Sequence, residues 1–202
     1  MWEADKGHRL IPEELHKALG SCRMGTQLKV VEETSSTNDL VWEAEKDGAP
    51  EGYVVFAERQ TAGRGQHGRQ WESTPYQGLW FSVLLRPKMT MAESPQLTAI
   101  LAKVVVSIVR EQAGVFPQIK PPNDIYLSGR KIAGVLVEGR NGTDGNYVAV
   151  AGIGINVNQT IEDFPEELRL TAGSLAMAAG RNIPRAPLAV GLLKKLDSAL
   201  NA

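Results

Sequence analysis

Gly63-Arg64-Gly65-Gln66-His67-Gly68-Arg69-Gln70-Trp71 spells G-x-G-x-x-G, and the fold class turns on what that spelling means. The stretch follows residues 53–59, which read as a strand on their Tyr53-Val54-Val55-Phe56 core. A dinucleotide-binding loop has that placement, but it must open a helix whose N-terminus faces the pyrophosphate. Here Trp71 leads to Ser73, Thr74, Pro75 and Gly78, and then to a second strand over 79–85. About 20 residues on, where an acid should hold the ribose, the chain reads Arg86-Pro87-Lys88. No Gly-Lys-Ser/Thr follows, so it is not a P-loop either. The stretch is a loop joining two strands. Its glycines permit positive φ and close approach to a ligand, and its arginines offer forks for carboxylate or phosphate. The plain alternative is a solvated surface loop, so the neighbouring segments weigh in.

Upstream, residues 12–19 read as a short helix, with Pro12 in its first turn and Gly20 beyond its end. A strand is predicted over 27–33, then a helix capped near Ser36-Thr37-Asn38, where Ser36 and Asp39 resemble a capping box. Those hydroxyls either satisfy the helix N-terminus or hold a small polar ligand, and the two roles are compatible. Downstream, Leu97, Ile100, Leu101, Val104, Val105, Ile108 and Val109 recur at helical spacing, with Gly114 as the stop. A hairpin follows, 125–127 to 131–138 around Ser128-Gly129, then a turn over 141–146 and a strand over 147–158. Helical segments are predicted around 166–170, 174–179 and 187–200. Hairpin-joined strands with separated helices predict an α+β fold with a mixed, mainly antiparallel sheet.

The chain has 202 residues, 43% apolar and 22% charged, which suits one ordinary globular domain over 1–202. A net charge of -1 argues against non-specific nucleic-acid binding and against a polybasic membrane surface. The single cysteine, Cys22, rules out an internal disulfide and fits a reducing cytoplasm. Residues 1–5 lack the features of a signal peptide, and apolar runs such as Val104-Val105-Val106 read as too short for a membrane span. His8, His16 and His67 show no metal-ligand spacing.

Polar clusters therefore sit at several element ends. They are Ser36-Thr37-Asn38; Gln60-Thr61-Ala62-Gly63-Arg64-Gly65 with Gly68, Arg69 and Trp71; Lys120 with Pro122-Asn123-Asp124-Ile125; Arg130-Lys131-Ile132-Ala133-Gly134 running to Glu138; and Gly152-Ile153-Gly154-Ile155-Asn156. In this order and spacing, over residues 28–158, the set resembles the catalytic domain of biotin–protein ligases. The resemblance implies a central sheet flanked by helices, similar to class II aminoacyl-tRNA synthetases. It implies a two-step reaction, in which biotin and ATP give biotinyl-5'-adenylate and a lysine of a biotin carboxyl carrier protein then takes the biotinyl group. It also implies roles. Arg64 and Lys131 would face the reacting carboxylate and α-phosphate. Ser36, Thr37, Asn38, Gln60, Gly63, Gly65 and Gly134 would join them around biotin. Arg69, Trp71, Lys120, Asn123, Asp124 and Asn156 would serve the nucleotide, with Asp124 reaching its Mg²⁺. An acyl-adenylate hydrolyses if water reaches it, so Trp71 would seal the site.

Three positions depart from the family pattern. Pro121 stands where members usually carry tryptophan, and Gln66 and His67 stand where many carry basic residues. A neutral Gln66 is expected to hold an anionic adenylate less firmly. No helix-turn-helix segment is read before the domain, from which a monofunctional ligase that does not bind DNA is expected; the family's small β-rich C-terminal domain is not read either, by truncation or as a naturally minimal form. Two other readings remain: a lipoate or octanoate ligase or transferase of the same superfamily, and a non-catalytic biotin- or nucleotide-binding protein. A homodimer through sheet edges is left open.

Overall fold

The computed structural model describes residues 9–142 and 145–200. His8, residues 1–5, Thr143-Asp144 of the predicted turn, and Asn201-Ala202 at the predicted end of the last helix lie outside the described residues.

Helix α1 (Pro12–Leu19) begins on proline, carries Glu13 and Glu14 in its first turn, and buries Leu15 and Leu19. Strand β1 (Leu28–Thr34) leads to α2 (Thr37–Lys46) and β2 (Val54–Gln60). The glycine-rich stretch forms a small hairpin of β3 (Gly63–Arg64) and β4 (Gln70–Trp71), joined by a 3-10 turn at Gln66–Gly68. Strand β5 (Gly78–Leu85) is buried at every position. Helix α3 (Ser94–Ala113) ends at Gly114 in the left-handed conformation. Then come β6 (Gln118–Lys120), β7 (Asp124–Leu127), β8 (Arg130–Asn141) and β9 (Tyr147–Asn156), followed by α4 (Leu175–Ala179) and α5 (Arg185–Leu200). The segment predicted as helical around 166–170 is only a 3-10 turn, Glu166–Leu168.

Seven strands form one sheet in the order β1-β2-β5-β9-β8-β7-β6. β1 and β2 run parallel and every other neighbouring pair runs antiparallel, so the sheet is mixed and mainly antiparallel, as the sequence predicts. Side chains alternate between the two faces of each strand, and this sorts the core. Phe56, Phe81, Val83, Ala151, Ile153 and Ile155 point to one face, where α1, α3 and α5 supply Leu15, Leu101, Val105, Leu192 and Leu196. Val55, Leu84, Val148 and Val150 point to the other, under Val41 of α2.

That second face positions the site. Along β9 its residues run Val148, Val150, Gly152, Gly154, Asn156. The valines pack beneath α2, and the glycines then leave the sheet bare. In the neighbouring strands Gly152 pairs with Ser82 and Leu136, and Gly154 with Trp80 and Gly134. A floor without side chains thus opens beside the N-terminal end of α2.

One sequence expectation is corrected here. Met91–Ala113 is, by length and composition, apolar enough to cross a membrane, although short runs such as Val104-Val105-Val106 had suggested otherwise. Its apolar stripe, including Leu97, Leu101, Val105, Ile108 and Val109, is buried against the sheet, so core packing accounts for its composition.

Candidate active site

Two cavities meet on the bare half of the sheet. The smaller, about 40 Å³, is lined by Ser36, Thr37, Asn38, Gln60, Arg64, Gly65, Lys131 and Gly134, among others. The larger, about 530 Å³, is lined by Arg69, Trp71, Lys120, Asn123, Asp124 and Asn156, together with Gln66, Pro121 and a wall from Phe164 to Ala172. Gly65, Trp71, Asn123 and Lys131 line both. The residues expected at biotin and those expected at the nucleotide are therefore sorted into two adjoining cavities. Gly63 is the exception, since it lines neither. A Cβ on it would sit 2.6 Å from the Trp71 carbonyl oxygen, so this glycine lets the two hairpin strands approach. Positive φ, which the three loop glycines permit, occurs at Gly68 alone of the three, while His67 shares it at φ 58.

In the smaller cavity the Ser36–Asp39 capping box does not form. Ser36 occupies the N-cap position without a side-chain bond, and Asp39 turns to Arg64. The Thr37 backbone N–H donates to Gln60 Oε1 at 2.8 Å, and the Thr37 hydroxyl lies 3.1 Å from the same oxygen. Thr37 Oγ1 is also 2.6 Å from Ser82 Oγ, which is 2.5 Å from Asn38 Oδ1. Ser36, Thr37, Asn38 and Ser82 are all buried, so this is a desolvated polar cluster.

Arg64 is already engaged. It donates to both Asp39 oxygens at 2.7 and 2.9 Å, and Nε and Nη2 reach Glu138 Oε1 at 3.3 and 3.2 Å. The other Glu138 oxygen accepts from Trp42 Nε1 at 3.0 Å. Hydrogen bonding to Arg64 holds the Asp39 carboxyl below its ordinary range, and the same bonds to Asp39 raise the guanidinium.

Trp71 lies on the glycine floor. A Cβ on Gly154 would come within 2.6 Å of its indole and one on Gly134 within 3.1 Å. Trp80 meets it edge-on at 6.1 Å, and Lys131 Nζ sits 5.2 Å from the ring centre. Lys131 also pairs with Asp124 at 2.6 Å. Its backbone is pinned by Thr171 and Gly173 through bonds of 2.7 and 3.0 Å, while Arg130 donates to the carbonyls of Arg169 and Ala172. Asn123 and Asn156 line the larger cavity, but their amide nitrogens donate to Val135 O and Gly173 O, so both also brace its walls. Lys120 rests 5.0 Å from the Tyr126 ring centre and Arg69 is exposed.

Among the described residues no group of three His, Cys, Asp or Glu could hold a metal. One carboxylate plus nucleotide phosphates is a usual set for Mg²⁺, and Asp124 fits that pattern once its pairing with Lys131 is shared. Sequence reasoning overlooked Ser82 and the 169–173 wall, and it named Asp39 and Glu138 without giving either a partner in the site. Ser82 had a signal, as a lone polar residue in an apolar strand on the parity of Gly78 and Trp80. The wall had none, because its contacts are backbone bonds. Cys22 is half-buried and its thiol is pushed up by burial, which fits an inert residue.

A mainly antiparallel sheet with one face bare at its glycine end, two adjoining cavities there and a basic hairpin over them defines an α+β protein built around a small-ligand site. The chain belongs to the biotin/lipoate A/B protein ligase family, whose model matches residues 30–158. It is 42% identical over 188 residues to the bifunctional ligase/repressor BirA of Bacillus subtilis, covering 90% of this chain and 58% of that one. It is 34% identical over 179 residues to the biotin–[acetyl-CoA-carboxylase] ligase of Mycobacterium tuberculosis, covering 86% and 64%. The biotin protein ligase of Aquifex aeolicus, solved with biotin and ATP, superposes with a TM-score of 0.74 at 32% identity, over 87% of this chain and 71% of that one. The chain thus spans less than two thirds of the length of the curated relatives it matches first.

Proposed function

We propose that this chain is a cytoplasmic biotin–protein ligase that uses ATP with its Mg²⁺ to join biotin to a lysine of a biotin carboxyl carrier protein. The observation that carries the reading is the sorting of the polar clusters into two cavities that meet at Lys131 and Trp71. In the first step a biotin carboxylate oxygen bonds to the α-phosphorus of ATP, and the bond to the β-phosphate oxygen breaks, releasing pyrophosphate. The carboxylate is ionised at neutral pH, so the step needs no base. It needs two anions held in contact and their charge offset, which is work for Lys131 and Arg64 at the shared wall. Arg69, Lys120, Asn123 and Asn156 serve the nucleotide, and Asp124 serves its metal. In the second step the carrier lysine attacks the acyl carbon as a neutral amine, AMP leaves, and the amine proton passes to solvent.

The smaller cavity supports biotin over a plain acyl chain such as lipoate or octanoate, because the hydroxyls of Ser36 and Thr37 and the amides of Asn38 and Gln60 share its wall with apolar residues such as Phe81, Val135 and Leu136. At about 40 Å³ it holds a few waters, so ligand entry displaces Trp71 and Arg64. Pyrophosphate release by the purified chain with ATP, Mg²⁺ and either biotin or lipoate tests the reading. Release with biotin alone is expected, and Arg64→Ala should lower it at least about 100-fold, the scale of losing one charge-stabilising donor. Release with lipoate alone would transfer the assignment to the lipoyl branch, and release with neither would favour a binding protein.

A further inference from the structure

The buried cluster beneath the smaller cavity does not balance as arranged. Three oxygen-to-oxygen contacts link Gln60, Thr37, Ser82 and Asn38: Gln60 Oε1 to Thr37 Oγ1 at 3.1 Å, Thr37 Oγ1 to Ser82 Oγ at 2.6 Å, and Ser82 Oγ to Asn38 Oδ1 at 2.5 Å. Each contact needs a proton, and two hydroxyls supply only two. Meanwhile Asn38 Nδ2, a buried donor with two protons, has no partner among the described residues. An orphaned buried amide is costly. Gln60 cannot mend the count by turning, because its oxygen already accepts the Thr37 backbone N–H at 2.8 Å. Asn38 can. With its amide turned by half a revolution, Nδ2 donates to Ser82, Ser82 donates to Thr37, and Thr37 donates to Gln60. All three contacts are then made, and the unpartnered position is held by the amide oxygen, an acceptor, in place of the nitrogen.

We propose that Ser82 is a positioning residue that sets ligand specificity, because it holds the Asn38 amide with its oxygen free for a ligand N–H. The inference rests on the reading of this cavity as the biotin site. Ser82 does not line the cavity; it acts from behind Asn38 and Thr37. Its place is dictated by the sheet, since it pairs with Gly152, and a Cβ on Gly152 would fall 2.5 Å from Asn38 Oδ1. The glycine makes room for the amide, and the serine orients it. The relay ends on Gln60 Oε1, which then accepts two bonds, so Gln60 Nε2 is left as a donor at the cavity wall. A fixed acceptor on Asn38 beside a fixed donor on Gln60 is the complement of a cyclic urea, which carries N–H groups flanking a carbonyl. A plain acyl chain satisfies neither, and a site with unsatisfied buried polar groups rejects such ligands.

Calorimetric titration without ATP tests this, using biotin and biotin methylated on either ureido nitrogen. Wild type should lose about 100-fold or more in affinity for at least one methylated isomer. In Ser82→Ala, affinity for biotin itself should fall about 10- to 100-fold, and the penalty for that isomer should shrink to within about tenfold, because Asn38 no longer presents a fixed acceptor. Ser82→Cys keeps the side-chain size without a strong hydroxyl and should behave alike; it serves if the alanine variant fails to fold. An unchanged methylation penalty in either folded variant, or an equal loss for biotin and both isomers, would reduce Ser82 to a packing residue and overturn the proposal. Wild type that binds no biotin at all would instead overturn the reading of the cavity.

Discussion

Arg64 illustrates how much of a site lies in single residues. Four of its five N–H groups are committed to Asp39 and Glu138. An incoming carboxylate must therefore compete for a fork that is already occupied. Asp39→Asn should free one side of that fork and strengthen biotin binding by about two- to fivefold, the scale of one exposed ion pair. The same variant should have a pH signature. Asp39 is held below its ordinary carboxylate range by Arg64, so its contribution to stability is complete above the unfolded value near pH ~3.9. That contribution is lost as pH falls through the lowered folded value. The side chain is 43% exposed, which keeps the difference below about 1 kcal/mol. Urea denaturation of both proteins from pH 7 to pH 3 should show a small gap that closes at the acid end. A gap that widens there would mean Asp39 is not stabilised as the carboxylate.

At the scale of elements, the basic hairpin and the bare floor are one device. β9 withdraws its side chains where the β4 tryptophan comes down, and β8 supplies the matching Gly134. Gly154 has ordinary extended backbone, so alanine is tolerated there conformationally; what it disturbs is Trp71. Gly154→Ala should lift the indole, red-shift the tryptophan emission toward that of an exposed ring, and raise the KM for ATP about tenfold or more while the folded state persists. An unaltered spectrum with normal KM would show that Trp71 does not rest on this floor in solution. This device was half legible in the sequence. The period-two pattern Gly152-x-Gly154-x-Asn156 marks one face of a strand, and Gly63 to Trp71 marks a loop between strands, because local periodicity and turn chemistry encode both. That the glycines lie under the tryptophan is a register fact spanning more than 60 residues, which no local pattern carries. The pairing of Asp39 and Glu138 with Arg64 escaped for the same reason, since each is an ordinary acid until the fold brings Arg64 between them. The capping box failed because Asp39 had a stronger partner than a backbone N–H.

At the scale of the whole molecule, the end of the sheet nearest the site is tied to the far end of the chain. Arg185, at the start of α5, is 4% exposed; it donates to Glu58 Oε2 at 2.7 Å and to the Gly78 carbonyl at 2.8 Å. The other Glu58 oxygen accepts the Leu10 N–H at 2.8 Å. One buried pair thereby joins the segment before α1, the C-terminal end of strand β2 two residues before Gln60, the first residue of β5, and α5. Burial lowers the affinity of the guanidinium for its proton and Glu58 opposes this, so the pair is a desolvated contact whose two halves depend on each other. Its removal should be felt globally. Arg185→Met keeps most of the apolar stem but strands a buried carboxylate and an unpaired carbonyl, and should cost about 3–5 kcal/mol in urea denaturation at neutral pH. Arg185→Lys keeps the charge, yet a point charge cannot span Glu58 and Gly78 as a planar fork does, so it should recover only part of the loss. A methionine variant within about 1 kcal/mol of wild type would mean that hydrophobic packing of α5 alone holds these four segments together, and that the ion pair between them is incidental.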